Sequence, residues 1–210
     1  MKSIRIESAS LALLPVVKGL VSEGDAVVQA FEEIAPDVIA VSVSREELIG
    51  LRTREDYDKY APSDLEIIYQ AFLERFGEMR IPPPAYVKAL DLSESEGTPI
   101  VPLDMNDEVY TEAYCNNVGT GDMIRESFFA RRATGKKFDL SSPCAFARSW
   151  DARVNKAKGF KELELARERH MAAALRNLAK KYPRILAVVE CERSEGVLSS
   201  LERPELKGEP

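Results

Sequence analysis

Histidine and cysteine are scarce in this chain, and their scarcity limits its chemistry. Among 210 residues there is one histidine, His170, and there are three cysteines. One histidine cannot supply a two- or three-histidine zinc site, and any catalytic triad would have to use His170. The cysteines are odd in number and widely spaced, with no Cys-x-x-Cys pair, so we expect reduced thiols and no disulfide framework. We therefore expect neither a bound metal nor a cofactor.

The glycine-rich motifs of nucleotide and acyl chemistry are also missing. The sequence contains no GxxxxGK[ST], no GxGxxG after a strand and no GxSxG, so nothing favours a nucleotide site or a serine hydrolase. The nearest glycine-rich run is Gly119-Thr120-Gly121. It lies inside a helical pattern and is typical of a kink or a turn.

Long apolar segments are missing as well. Residues Met1–Glu7 alternate charged and apolar side chains and contain no signal-peptide core. The apolar stretch Leu11–Leu20 is interrupted by Pro15 and Lys18 and is shorter than the 18 to 20 residues that a membrane span needs. The net charge of −6 gives no electrostatic reason to bind nucleic acid or anionic lipid. We expect a soluble, cytoplasmic protein without nucleic-acid or membrane partners.

What the sequence does contain is the composition of a folded domain. Hydrophobic residues make up 45% of the chain and charged residues 30%, enough apolar side chains for a core. The length predicts a single domain over residues 1–203, followed by a polar tail at 204–210 that contains two of the chain's prolines.

Four short runs predict β-strands. They lie at Ser3–Glu7, Asp37–Val43, Thr98–Leu103 and Arg184–Val189. The last three are almost wholly aliphatic, which is typical of strands covered on both faces in a parallel sheet. We predict that all four strands are mutually parallel.

Helical patterns separate these strands. Apolar residues recur at helical spacing in Glu23–Ile34, Ser63–Phe76 and Phe160–Lys181, and Arg193–Leu201 predicts a closing helix. Ser44 and Glu47 form a capping box that begins another helix. The alternation predicts an α/β fold with a small, mostly parallel sheet of about four or more strands. The long helical middle predicts a helical cap within 57–96 and 106–158.

Polar residues follow the predicted strands, where α/β proteins place their binding sites. These residues are Glu7 and Ser8, then Ser42 and Ser44, then Asp104, and finally Glu190 and Glu192. Clustered carboxylates would shift one another's pKa values or hold a cation. The alternative is that these strand ends are simply polar and solvated. Two interpretations are also open for His170, which is either an ordinary helix residue or a proton carrier beside Glu168.

Four stretches resemble the TraB/pheromone-shutdown family, within a superfamily that includes Tiki-type proteases, erythromycin esterases and ChaN-like proteins. Val27–Leu48 resembles that family's helix followed by "PDVVAVEL", and Gly97–Asp104 with Thr111 resembles its strand, aspartate and threonine. Arg167–Ala172 resembles the "RD-x-YMA" helix, and Arg184–Val189 with Gly196-Val197 resembles the strand before "GAGHxxGI".

The sequence departs from this family at its functional residues. No GxxH follows the first strand, Ser42 replaces the glutamate of "VEL", and Arg193 stands where the family has the histidine of "GxH". Glu190 and Glu192 replace that motif's glycines, and only Asp104, Arg167 and Glu168 match like residues. The resemblance therefore implies the fold without the metal-dependent hydrolysis.

Two functions follow from these observations. The first is a divergent, non-catalytic member of this family that binds a small molecule or a partner protein, with a homo-oligomer as one form of the latter. The second is a hydrolase of the same superfamily that uses carboxylates, with or without a metal. We also predict a polar, salt-bridged pocket at the carboxyl ends of the strands, lined by Asp104, Glu190 and Arg193 and reached by Glu168 or Arg167. This pocket would be a structural relic or an anion- or ligand-binding site, and not a hydrolytic centre. The full set of candidate residues is Ser42, Asp104, Arg167, Glu168, His170, Glu190, Glu192 and Arg193.

Overall fold

The computed structural model describes residues 1–53, 61–130 and 132–203. Its centre is a five-stranded sheet in the order β1-β2-β5-β3-β4. The strands are β1 Lys2–Ile6, β2 Ala9–Val16, β3 Val38–Val41, β4 Ile100–Pro102 and β5 Arg184–Glu190. Strands β2, β5, β3 and β4 are parallel, so the predicted α/β class and the mostly parallel sheet are confirmed.

The prediction that Ser3–Glu7 is parallel to the other strands was wrong. This segment is β1, an antiparallel edge strand that pairs Ile6 with Ala9 and Lys2 with Leu13. Only Glu7 and Ser8 separate it from β2, and so short a connection can join only antiparallel neighbours. Glu7 takes a left-handed conformation at φ 53° in this turn.

Strand β2 is the one that the sequence pattern did not predict. Pro15 argues against a central strand, since proline cannot donate to the hydrogen-bond ladder. The pairing with β1 ends at Leu13, however, so Pro15 lies where only β5 pairs with β2. The missing N–H therefore costs no hydrogen bond to β1.

Nine α-helices surround the sheet in the described part of the chain. They are α1 Ser22–Ile34, α2 Arg45–Arg52, α3 Asp64–Leu73, α4 Pro84–Glu96, α5 Asp107–Asn117, α6 Thr120–Ala130, α7 Pro143–Val154, α8 Lys158–Ala179 and α9 Cys191–Glu202. Capping boxes begin α2 at Ser44 and α3 at Ser63. None of these helices is long and apolar enough to cross a bilayer.

Strand β5 shows how the core is divided. Ile185, Ala187 and Val189 pack against α8 and α9, whereas Leu186 and Val188 pack against α1, α2 and α4. Because successive side chains of a strand point to opposite faces, this alternation means that helices cover both faces of the sheet. The aliphatic composition of β5 is the sequence signature of that arrangement.

A third apolar cluster lies beyond the carboxyl ends of β2 and β5. Val17, Leu20 and Cys191 meet Leu73 of α3 and the α7 side chains Phe146 and Trp150. Helix α4 lies within the range predicted for the helical cap, and it is buried against the sheet through Ala85, Tyr86, Ala89 and Leu90. Residues 57–60 and Arg131 of the predicted cap, and the predicted tail at 204–210, lie outside the described residues.

Candidate functional site

Four strands bring polar residues to one end of the sheet. Ser42 follows β3 and is fully buried; its Oγ accepts a hydrogen bond from the backbone N–H of Glu190 at 3.0 Å. The same Oγ lies 2.9 Å from the buried hydroxyl of Tyr86 on α4. Ser42 is therefore held by two partners inside the core, so its role is to join β3, β5 and α4.

Glu190 ends β5 and pairs with a residue that the sequence analysis did not select. Lys18, just after β2, places its Nζ 2.7 Å from Glu190 Oε1. Burial alone would raise the pKa of Glu190, but Lys18 and then Arg167 outweigh it and lower that pKa. The carboxylate in turn raises the pKa of Lys18. Glu190 therefore holds its negative charge through an ion pair at the tip of the sheet.

Asp104 and Glu190 do not form the joint centre that was predicted. Strand β3 lies between β4 and β5, so the two strand ends are two spacings apart, about 10 Å. Asp104 pairs instead with Arg167 of α8. Its Oδ2 accepts a hydrogen bond from Arg167 Nε at 3.1 Å and another from Arg167 Nη2. Asp104 also accepts the backbone N–H of Met105 at 2.8 Å. Each carboxylate thus has its own cation.

A single chain of ion pairs extends from Asp104 across α8 to α9; we call it the arginine cluster. Arg167 also donates to Glu164 at 2.8 Å, and Glu164 lies 3.1 Å from Arg193. Arg193 further contacts Glu168 at 3.1 Å and Asp151 of α7. The arginine cluster comprises Asp104, Asp151, Glu164, Arg167, Glu168 and Arg193.

The arginine cluster is buried and closely packed. Only 4% of the Arg193 side chain is exposed, and a Cβ atom on Gly196 would lie 1.9 Å from Glu168 Oε2. Glycine at position 196 is therefore what allows α9 to approach the Glu168 carboxylate. Burial raises the pKa values of Glu164, Glu168 and Asp151, and the arginines oppose that rise.

Beside the arginine cluster is a cavity of about 610 Å³, between α3, α7 and the start of α9. Its wall is mainly apolar and includes Leu65, Tyr69, Trp150 and Val154. Charged residues enter it from several elements, namely Lys18, Glu47, Glu66, Arg80, Asp151 and Glu192. Asp151 belongs both to the cavity wall and to the arginine cluster.

Glu192 differs from the other carboxylates of this region. It lies in the first turn of α9, and no described cation forms an ion pair with it. Its carboxylate accepts from its own backbone N–H and, at 3.3 Å from Oε2, from the Cys191 thiol. Burial and then the nearby charge of Glu190 raise its pKa to about 7. Glu192 can therefore exchange a proton near neutral pH, which is the property of a general acid or base.

The predicted candidates thus separate into three groups. Asp104, Arg167, Glu168 and Arg193 meet in the arginine cluster, while Ser42 and Glu190 form the strand-end network with Lys18. Glu192 alone enters the cavity. His170 is half-buried on α8 and belongs to none of these groups.

Several residues of these sites were not predicted from the sequence. Glu164 precedes Arg167 by three residues, a helical spacing at which ion pairs form, and that spacing was a usable signal. Asp151, Tyr69 and Lys18 reach the region from distant segments, and nothing local marks them.

The described residues include no group of three or more histidine, cysteine, aspartate or glutamate side chains arranged to hold a metal ion. The acidic side chains of the arginine cluster are directed at guanidinium groups instead. Cys191 is buried, Cys144 half-buried and Cys115 exposed, and all three are free thiols.

Comparison with known proteins adds no family assignment. No family model matches this sequence, and no curated protein matches it either.

Proposed function

We propose that this chain binds a small molecule in the cavity between α3, α7 and α9. The observation that carries the proposal is the cavity itself, whose volume of about 610 Å³ is typical of small-molecule sites. It lies beyond the carboxyl ends of β2 and β5, the end at which parallel α/β sheets bind their ligands. Its mainly apolar wall with a few charged groups suits an organic ligand better than a protein surface.

In this proposal the protein is a divergent, non-catalytic relative of the TraB-like proteins that the sequence resembles. The resemblance puts a glutamate at position 42 and a histidine at position 193. In this chain Ser42 is enclosed by hydrogen bonds and Arg193 by three carboxylates. Neither arrangement offers a metal an available ligand, which supports a binding role.

A carboxylate-dependent hydrolase is the second candidate, and Glu192 is the observation that favours it. A carboxyl with a pKa near 7 beside a cavity can accept a proton from water and return it to a leaving group. In that case Glu192→Gln would abolish hydrolysis of an ester or amide substrate. Elemental analysis of dialysed protein adds a second check, because one zinc per chain would contradict the non-catalytic proposal.

The proposal is tested by blocking the cavity. A library of small organic molecules is screened by thermal unfolding against the parent chain, Val154→Trp and Ile67→Trp. Val154 lines the cavity, whereas Ile67 is 52% exposed on α3 and does not. A ligand at about 100 times its Kd should stabilise the parent by about 2.7 kcal/mol. We expect Ile67→Trp to respond like the parent and Val154→Trp to lose the response.

Two results would contradict the proposal. One is a library without a single stabilising compound. The other is a set of hits that stabilise Val154→Trp as strongly as the parent, because those compounds bind elsewhere.

A further inference from the structure

The charges around the cavity are unequal. Among the described residues, four carboxylates and two cations line it, and both cations are already paired. Lys18 Nζ lies 2.7 Å from Glu190 Oε1, and Arg80 Nη2 lies 2.8 Å from Glu78 Oε1. An anionic ligand would have to compete with these carboxylates for the cations. The lining is therefore less suited to an anion than to a cation.

Three of the four carboxylates also have partners. Glu47 and Glu66 accept the backbone N–H groups of Ser44 and Ser63, each at 2.8 Å, as helix caps. Asp151 contacts Arg193 and accepts from the Asn155 amide at 2.8 Å. Glu192 forms no ion pair with a described residue, and its carboxylate accepts only from its own backbone N–H and from the weak thiol donor of Cys191 among those residues. Of the described carboxylates that line the cavity, Glu192 is therefore the one left for a ligand.

The apolar wall beside Glu192 is aromatic. Tyr69 and Trp150 both line the cavity, with their ring centroids 5.5 Å apart. Aromatic faces attract organic cations, and the attraction is greater where water is excluded. Tyr69 and Trp150 therefore give the cavity an aromatic wall that suits the apolar or aromatic body of a cation.

From this arrangement we infer that the ligand of the cavity is an organic cation, a protonated amine attached to an apolar or aromatic body. The ammonium group pairs with the Glu192 carboxylate, and the body packs against Trp150, Tyr69 and the neighbouring aliphatic side chains. This inference rests on the proposed small-molecule function and adds the chemical class of the ligand.

Three probes of nearly equal shape test it. They are 4-phenylbutylamine, 4-phenylbutanol and 4-phenylbutyrate, which are cationic, neutral and anionic at about pH 8. Binding is measured by isothermal titration calorimetry to the parent chain, Glu192→Gln and Glu195→Gln. Glu195 lies on the same helix and is 73% exposed, so its substitution is the matched control. Circular dichroism melting verifies that each variant is folded.

We expect the amine to bind the parent about 10- to 100-fold more tightly than the alcohol or the acid, the usual value of a charged hydrogen bond. Glu192→Gln should remove this preference, and Glu195→Gln should keep it. The inference is overturned if the alcohol or the acid binds the parent as tightly as the amine, if folded Glu192→Gln retains the preference, or if no probe binds.

The screen with Val154→Trp separates this inference from the proposal on which it rests. If neutral or anionic library compounds bind in the cavity while the amine does not, the small-molecule function stands and the cationic class is wrong. If neither the library nor the probes bind, both fail.

Discussion

Two neighbouring regions of this molecule bury carboxylates in opposite ways. In the arginine cluster each of the four carboxylates contacts a guanidinium group, and the Arg193 side chain is almost entirely buried. In the cavity, Glu192 faces open volume and no described cation pairs with it. Asp151 belongs to both regions, so the two regions are adjacent. What differs between them is whether a carboxylate has a cationic partner.

This difference separates stability from function. A fully paired buried cluster gives no reason to expect a ligand, because every charge already has a partner. An unpaired carboxyl beside a cavity carries an energetic cost that a ligand can remove. Whether a carboxylate has a cationic partner is therefore a better guide to a binding site than whether carboxylates cluster at strand ends. Substitutions in the two regions should have opposite effects on stability.

The largest effect is expected for Arg193→Met. Removing this guanidinium leaves Asp151, Glu164 and Glu168 without their shared cation in a buried setting. We expect the free energy of unfolding to fall by about 3–5 kcal/mol, measured by urea denaturation. Arg184→Met is the control, because its pair with Asp37 is exposed to solvent and should contribute little to stability. Equal losses in the two variants would contradict the special role of the arginine cluster.

A smaller loss is expected for Asp104→Ala, at the other end of the same cluster. Arg167 loses one carboxylate but keeps Glu164 at 2.8 Å, so its charge is not left unpaired. We expect a loss of about 2–3 kcal/mol in the free energy of unfolding. Asp104→Asn can keep the acceptor for the Met105 N–H and should lose less. An Asp104→Ala variant with the urea midpoint of the parent would show that the ion pair contributes nothing.

The fold could be predicted further than the site. The aliphatic runs at β3, β4 and β5 and the capping box at Ser44 are local signals, and the structure has those elements. Strand β2 was not predicted, and its Pro15 is a residue that disfavours a central strand. The pairing of β2 with β1 ends at Leu13, so Pro15 interrupts no hydrogen bond to β1. The direction of β1 depends on a two-residue turn that contains neither glycine nor asparagine.

The site was less accessible because ion pairs are made across the fold. Strand order decides that Asp104 meets Arg167 and that Glu190 meets Lys18, and the sequence does not state that order. Glu192 was selected only as a residue at a strand end. Its distinguishing property is a half-buried carboxyl with no cationic partner among the described residues, at a cavity that it shares with Tyr69 of α3 and Trp150 of α7. No local pattern connects those two residues to α9.

The smallest effect, and the only one of opposite sign, is expected for Glu192→Gln. In the unfolded chain this carboxyl ionises around its ordinary pKa of 4.5, but in the folded chain it keeps its proton up to about pH 7. The unfolded state therefore binds fewer protons between these values, so stability falls as the pH rises from 4.5 to 7 and levels off above. The rise of this pKa from 4.5 to about 7 corresponds to at most about 3–4 kcal/mol. Water at the half-buried side chain reduces this to on the order of 1–2 kcal/mol.

Glu192→Gln should match the parent near pH 4 and exceed its stability by that amount at pH 8. Urea denaturation at both pH values, with Glu195→Gln as control, measures the difference. A gain at pH 8 that is no larger than the gain at pH 4 would show that Glu192 is ordinarily solvated, and the contrast with the arginine cluster would then disappear.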